Sequence, residues 1–249
     1  MESLLTLPLA GEARVRILQI TDTHLFAEKH ETLLGVNTWD SYQSAAAYQH
    51  FAEGIASFRA PCVWLPGNHD FQPAMYSALQ DAGISPAKRV FIGEQWQILL
   101  LDSQVFGVPH GELSEFQLEW LERKLADAPE RNTLLLLHHH PLPAGCSWLD
   151  QHSLRNAAEL DNVLVNYPRV KYLLCGHIHQ ELDLDWNGRR LLATPSTCVQ
   201  FKPHCSNFTL DTISPGWRTL ELFADGTLQT QVRRLQGNRF HPDTASEGY

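Results

Sequence analysis

Apolar residues in this chain fall into short β-rich runs separated by segments of helical spacing, and polar, chemistry-bearing residues gather where the runs stop. Residues 15–20, 61–65, 96–101, 133–137 and 170–175 are such runs. Branched and large aliphatic side chains fit the pleated surface of a sheet, so each run predicts a strand. Between the first two, 38–59 places Ala45, Ala46, Ala47 and Tyr48 ahead of Phe51, Ile55 and Phe58 on a roughly helical repeat. Residues 73–83 open with Pro73 and end on Gly83, a helix start and stop. Ser114 and Gln117 form a capping box for a helix reaching about Ala126, with Phe116, Trp120, Leu121 and Leu125 expected to face the core. A further helix is expected over 154–165.

Past Arg190 the pattern becomes β throughout. Leu191-Leu192-Ala193, 207–210 and 217–223 read as strands, and Asp225-Gly226 is a hairpin turn into 227–232. No repeat or low-complexity linker interrupts the chain. Strands alternating with helices predict a layered α/β fold with a β-rich C-terminal part, organised as one domain over 1–240 followed by a polar tail, 241–249.

Four polar blocks follow strand-like runs: Asp22-Thr23-His24, Gly67-Asn68-His69-Asp70, His138-His139-His140-Pro141 and Gly176-His177-Ile178-His179. Any one of these histidines alone would more often be structural than ligating. Together they supply a carboxylate, an amide and several imidazoles, a donor set suited to divalent transition metals acting on oxyanions. Asp22 and His24, like His177 and His179, are one residue apart, so an extended strand end would send both side chains of each pair to one side. Glycine at 67 and 176 would leave room for backbone near a metal. Asn68 can ligate through its amide oxygen while His69 stays free to exchange protons and Asp70 orients it. His138, nearest the strand, is the expected ligand of its triplet; His139 and His140 are left for substrate or for supporting contacts.

Charge and composition narrow the partners. With 249 residues, 43% of them hydrophobic, the chain can bury one substantial core. A net charge of -9 argues against nucleic acid, whose binding rests on clustered Lys and Arg, but suits a small phosphorylated substrate held by metal. The first ten residues lack a basic, apolar leader pattern and no run approaches the span of a bilayer, so no membrane partner is expected and the location expected is cytoplasmic. Five cysteines in no CxxC spacing read as free thiols in a reducing compartment. Oxidation of Cys175, next to Gly176-His177, would disturb the site. Nothing in the pattern specifies an oligomeric state.

The blocks resemble the calcineurin-like metallophosphoesterase superfamily, whose order is D-x-H, GD, GNH[D/E], a histidine after a strand, then GHxH. Within it, 20–24, 65–70, 137–141 and 174–179 are most similar to the bacterial class III 3′,5′-cyclic AMP phosphodiesterases, and Thr194-Pro195-Ser196-Thr197 resembles a loop near their substrate. The resemblance implies a layered metallophosphoesterase fold of β-sheets flanked by helices, and hydrolysis of cyclic AMP to 5′-AMP, with other phosphodiesters or monoesters as the alternative substrates. It implies two divalent cations, iron or manganese foremost. Asp22, His24 and His179 would hold one; Asn68, His138 and His177 would hold the other. His69 would protonate the leaving oxygen, and His24, Asn68, His69, His139 and His179 would meet substrate.

One block of that order is absent. None of the fifteen glycines is followed by Asp, and the 46 positions from Asp22 to Asn68 hold one helix and no strand ending in Gly-Asp. A strand–helix step of about 30 residues is therefore missing, with its junction near Gln43-Ser44. The family's bridging carboxylate goes with it, unless Asp40 substitutes. The expected consequences are a weakened second metal site, activity reduced or lost as far as a metal- or nucleotide-binding protein without turnover, and strand edges left open.

Overall fold

The computed structural model describes residues 3–9, 14–24, 34, 45–237, 241–246 and 248. In chain order these form β1 (Leu4–Leu7), β2 (Arg14–Gln19), α1 (Ala45–Ile55), α2 (Gln72–Asp81), β3 (Arg89–Ile92), β4 (Trp96–Leu100), α3 (Glu115–Asp127), β5 (Asn132–Leu136), α4 (Ala157–Leu164), β6 (Val170–Cys175), β7 (Leu182–Trp186), β8 (Arg189–Ala193), β9 (Gln200–Phe201), β10 (Leu210–Asp211), β11 (Gly216–Phe223) and β12 (Leu228–Arg234). The main sheet runs β1-β3-β4-β5-β6-β8-β7, parallel from β4 through β8 apart from the edge strand β7. A second, antiparallel sheet runs β12-β11-β2.

Period-2 alternation along the central strands builds the layers. Leu99, Leu135, Leu173 and Leu191 face one side, where they pack with Trp120, Leu121 and Leu125 of α3 and Leu160 and Leu164 of α4. Their neighbours Ile98, Leu100, Leu134, Leu174 and Leu192 face the other, against Ile17 of β2, Leu220 and Leu222 of β11 and Leu228 of β12. The result is a mixed α/β fold with a central sheet covered by helices on one face and by the small sheet on the other. Two buried polar ties hold the sheets together. Trp96 Nε1 donates to the Phe223 carbonyl at 2.6 Å, and the Arg218 guanidinium donates to the Ala193 carbonyl at 2.7 Å and to Thr194 Oγ1 at 3.2 Å. The ends of β5, β6 and β8 lead directly into the histidine blocks and the Thr194 loop, the usual place for a site on a parallel sheet.

Several expectations need correction. The run 61–65 forms no strand: Val63 makes one isolated parallel bridge to Ser85, and a strand without neighbours on a sheet has nothing to extend its ladder. Phe116 is 65% exposed, so the buried stripe of α3 is Trp120, Leu121 and Leu125. Ser114 Oγ does accept from Gln117 N, but the Gln117 side chain accepts from Asp102 N instead of reaching back to the cap. The helix expected over 154–165 begins at Ala157, and the strand expected over 207–210 is reduced to Leu210–Asp211. β1, β3 and β7 were not anticipated. The proposed junction at Gln43-Ser44 and the substitute Asp40 lie outside the described residues, as does the start of the helix expected over 38–59.

A cavity of about 1090 Å³ separates α1 and β2 from the main sheet, with Leu5, Ile17, Phe51, Val90, Ile98 and Leu134 among its walls. Sealed and dry, an apolar void that large would cost on the order of 20 kcal/mol, more than the whole stability of a typical domain. Val90, Ile98 and Leu134 of these walls belong to the buried cluster between the sheets, with Leu5 and Ile17 packed against it, and the cavity opens beside that cluster. α1 and α2 instead form a small separate cluster with Trp64, through Tyr48, Ala52, Met75 and Leu79.

Lys88 supports the bare segment beside this cavity. Its Nζ donates to the Trp64 carbonyl at 2.7 Å and lies 3.9 Å from the Trp64 ring centroid, doing for one carbonyl what a strand neighbour would do. Burial lowers its pKa from 10.5 to about 8, against the opposing pull of Asp102. Between about pH 8 and 10.5 the unfolded chain therefore binds more protons than the folded one, and stability rises with pH. Urea unfolding from pH 8 to 10.5 should show a rise on the order of 2 kcal/mol that Lys88→Met flattens; an identical slope in the variant would show that Lys88 is not its source.

Candidate metal centre

The first and last polar blocks follow strand ends, but their backbone is not extended. β2 stops at Gln19 and β6 at Cys175, and Asp22, His24, His177 and His179 all adopt left-handed backbone, with φ of 52°, 45°, 66° and 51°. The side chains of each pair converge because of this backbone geometry, and the alternation of an extended strand has no part in it. Left-handed non-glycine residues cost about 1 kcal/mol or more each and persist where their surroundings demand them.

Asp22 supplies much of that demand. Its Oδ2 accepts from Thr21 Oγ1 at 2.6 Å and from the His177 backbone N–H at 3.0 Å, tying the first block to the last. Its Oδ1 faces His179 Nε2 at 3.4 Å and His138 Nε2 at 3.7 Å. Burial alone would raise this carboxyl, but His138 and His179 beside it hold it well below the usual range, so it is ionised. The loop resembling a substrate-side segment is a support: Ser196 Oγ donates to the Asp22 carbonyl at 2.6 Å, Thr197 N to the Thr21 carbonyl at 3.1 Å, and Thr194 Oγ1 to Gln19.

Two groups of ligating atoms result. Asp22, His24 and His179 form the first, each offering an atom within 4.8 Å of the others. His179 Nδ1 donates to the Val199 carbonyl at 2.9 Å, which fixes the tautomer and leaves Nε2 bare, 3.1 Å from His24 Nε2. In the second, Asn68 Oδ1 lies 3.0 Å from His138 Nε2 and 3.1 Å from His177 Nδ1. These are the two sets implied by the family resemblance. His139 also belongs with His138 and His177, and it is fully buried with Nδ1 at 2.8 Å from Ser103 Oγ. A side chain so enclosed presents no surface to a substrate, so His139 is better placed as a ligand or a support. His177 Nε2 and His139 Nε2 are buried with no hydrogen-bond partner among the described residues. Such orphans are costly; a cation at His139 Nε2 would relieve that one, whereas His177 Nε2 diverges from the Nδ1 that faces Asn68, so a cation held beside Asn68 would leave it without a partner among the described residues. Burial is the leading cause that lowers the pKa of His24 and His177, keeping these imidazoles neutral and able to ligate, and it lowers His138 too, against the opposing pull of Asp22 and Asp70.

Two expected roles shift. Asp70 does not orient His69: its carboxylate accepts from Gly67 N at 2.7 Å and Tyr48 O–H at 3.0 Å, so it shapes the loop that carries Asn68. Gln104, unremarked in the sequence, completes that loop by donating to the Gly67 and Asp70 carbonyls at 2.7 and 2.5 Å. His69 stands at the mouth, its ring centroid 5.3 Å from that of His24. Burial, then the nearby His138 and His179, lowers it to about 4, so it is neutral at pH 7. The Cys175 thiol is fully buried and pushed up to about 12, which makes it unreactive and removes the case for oxidation there. All five cysteines are free.

Residues 36–181 match the model of the calcineurin-like phosphoesterases. That span begins after Asp22 and His24. The chain is 83% identical over 275 aligned positions to the 3′,5′-cyclic adenosine monophosphate phosphodiesterase CpdA of Escherichia coli (strain K12), covering 100% of both chains. It is 47% identical over 261 positions to the protein of the same name from Haemophilus influenzae, covering 94% of this chain and 95% of that one. Setting 275 positions against 249 residues leaves 26 positions of the E. coli protein without a counterpart, close to the missing strand–helix step. Among solved structures, the purple acid phosphatase PPD1 from yellow lupin superposes with a TM-score of 0.50 at 12% identity, over 92% of this chain and 53% of that one. That likeness speaks for the fold alone.

Gly176 tests the arrangement at one atom. A Cβ there would stand 2.7 Å from Asp22 Oδ2 and closer still to the Thr21 hydroxyl. Gly176→Ala should weaken Mn²⁺ binding, followed by calorimetry, about tenfold or more by displacing the carboxylate. Gly54→Ala, in open space on α1, should leave it unchanged. Equal affinities in the two variants would remove Asp22 from the ligand set.

Proposed function

The chain belongs to the calcineurin-like phosphoesterase family, and from that premise we propose that it hydrolyses 3′,5′-cyclic AMP to 5′-AMP with the help of divalent cations. The observation that carries this reading is the pairing of Asp22, His24 and His179 with Asn68, His138 and His177 across one buried pocket, with His69 at its mouth. The high identity to enzymes named for that reaction supports the substrate. Bound cations supply charge neutralisation at the phosphoryl oxygens and a water of lowered pKa.

The chain's own residues do the rest. Asp22 holds the two block-bearing loops in register, and Val199 holds His179 in its ligating tautomer. Asp70, Tyr48 and Gln104 fix the loop that presents Asn68 and His69. As the imidazolium, His69 would give a ring N–H proton to the departing 3′-oxygen as the bond to phosphorus breaks, and return to the neutral ring that its pKa of about 4 favours. His24 and Asn68 line the same pocket and stand where a phosphoryl group would be held, whereas His179 is as enclosed as His139 and presents no surface to a substrate.

The two groups are unequal. Asp22 is the one carboxylate among the described residues of both, so the group of Asn68, His138 and His177 offers neutral donors only. We therefore read the first group as the firm cation site and the second as weak, with iron or manganese as the metals of choice for these oxygen and imidazole donors. The same imbalance favours a second reading, a metal-binding homologue with little turnover. A small cyclic nucleotide remains the partner proposed, and the free cysteines and acidic balance fit a cytoplasmic location. No helix among the described residues is long and apolar enough to cross a membrane.

Metal content and cyclic AMP hydrolysis, measured together, separate these readings. The expected result is one firmly bound Mn²⁺ per chain, with hydrolysis that rises as further Mn²⁺ is added and falls about 100-fold or more in His69→Ala. Hydrolysis independent of added metal would sink the unequal-site reading. Absence of turnover at saturating metal would sink the enzyme reading.

A further inference from the structure

We infer that His139 is itself a cation ligand, so that His138, His139 and His177 form a three-imidazole site for zinc, a donor set different from the one the family resemblance implies. One ring nitrogen from each of the three lies within 4.8 Å of the others. The ring centroids stand 5.0 Å apart for His138 and His139, 4.8 Å for His139 and His177, and 5.1 Å for His138 and His177, so no ring is an outlier. His139 is fully buried, and its ring is held by Ser103 Oγ, 2.8 Å from Nδ1, and by the Pro109 carbonyl. Its Nε2 has no hydrogen-bond partner among the described residues. With the ring proton on Nδ1 and donated to Ser103, Nε2 keeps its lone pair, the form in which a histidine ligates.

The backbone nearby is shaped to this one ring. A Cβ at Gly111 would collide with His139 Cγ and Nδ1, so the position needs a residue without one. Gly111 is not free to back away: its N–H donates to the Ser153 carbonyl at 3.2 Å, its carbonyl accepts from Arg155 N at 2.8 Å, and Glu112 N donates to the Ser103 carbonyl at 3.1 Å. An imidazole held that closely with one nitrogen bare is a poor packing residue, because the bare nitrogen has lost water and gained nothing. As a ligand it has its partner. Neighbouring His140 makes the contrast. It stacks on His177 at 5.7 Å between centroids, yet it belongs to neither group of ligating atoms, and its Nε2 faces Asp150 at 3.6 Å. The donors select the ion: three neutral imidazoles with a further position open to water suit zinc, whereas manganese favours carboxylate, carbonyl and water oxygens. Asp22 Oδ1, 3.7 Å from His138 Nε2, is the negative charge near such an ion. The inference rests on the reading of this pocket as a cation centre, proposed above.

The experiment uses the intact chain with ¹⁵N-labelled histidine, freed of metal by a chelator and titrated with Zn²⁺ while NMR reads the ring nitrogens. The first equivalent fills the group of Asp22, His24 and His179. The second should move the Nε2 resonance of His139 out of the range of a bare imine nitrogen while its Nδ1 stays protonated, a response that a merely structural imidazole does not give. His139→Gln identifies that resonance by removing it; should this variant not fold, Ser103→Ala identifies it by perturbing Nδ1. Calorimetry should find the second Zn²⁺ held about tenfold more weakly or worse in Gly111→Ala, which displaces the ring and deletes no donor, and in Ser103→Ala, with the first Zn²⁺ unchanged in both. Zinc that shifts His138 and His177 but leaves His139 unmoved, or a second affinity equal in the variants and the unaltered chain, overturns His139 as a ligand and leaves the cation centre standing. A second Mn²⁺ bound as tightly as the second Zn²⁺ overturns the assignment to zinc. Zinc that shifts none of these histidines overturns the cation centre itself and this inference with it.

Discussion

The organisation of this molecule around its pocket depends on one buried carboxylate. Asp22 accepts from the backbone of His177 across more than 150 residues of chain, lies close to two imidazoles, and is itself gripped by Thr21 and by the 194–197 loop. A charge enclosed that fully survives only when its surroundings answer it. The neighbouring histidines do so electrostatically, and the His177 N–H does so by hydrogen bonding. Remove the carboxylate, and among the described residues the loop after β2 and the loop after β6 keep only the His24–His179 contact and packing between them. The metal-ligating pattern is in this sense also a folding constraint, since the same atoms that would bind a cation hold two left-handed turns in place.

Much of this was legible in the residue order. The central strands β4, β5 and β6 are short, continuous apolar runs, the signature of strands buried on both faces, and each announced itself. The two ligand sets could be assigned by resemblance because their spacing is regular. What the pattern hid has physical causes. β1 and β3 are four residues each, too short to show a period, and β7 alternates Leu with Asp as a solvent-facing edge strand does. Phe116 obeyed the helical repeat yet points outward, since a stripe predicts a face and the neighbouring elements decide its width. The pairing of Asp70 with Tyr48 joins residues on separate elements and left no local trace. The segment 61–65 is the reverse case: strand-like by composition, it is not a strand because a sheet position needs a neighbour, and neighbours are not encoded locally.

The same segment shows how a fold copes with a missing layer. Lysine beside Trp64 takes up one stranded carbonyl, and the two helices nearby bury what they can around the indole in a cluster of their own. Neither replaces a sheet, and the large apolar cleft remains. Local repairs of this kind satisfy individual polar groups more easily than they fill volume, because a long flexible side chain can reach a carbonyl but cannot occupy a cavity.

The pairing of β2 with β11 has a consequence for the order of events during synthesis. Gln19 meets Arg218 and Arg14 meets Phe223, and among the described residues β2 has no other sheet partner. The loop bearing Asp22 and His24 is therefore carried by a strand that waits for a partner made about 200 residues later. Loop closure over about 200 residues is slow and costly in entropy. On the ribosome, the α3–α4 face of the main sheet can assemble first, while the half of the pocket that holds the carboxylate stays unformed until the C-terminal hairpin has been released.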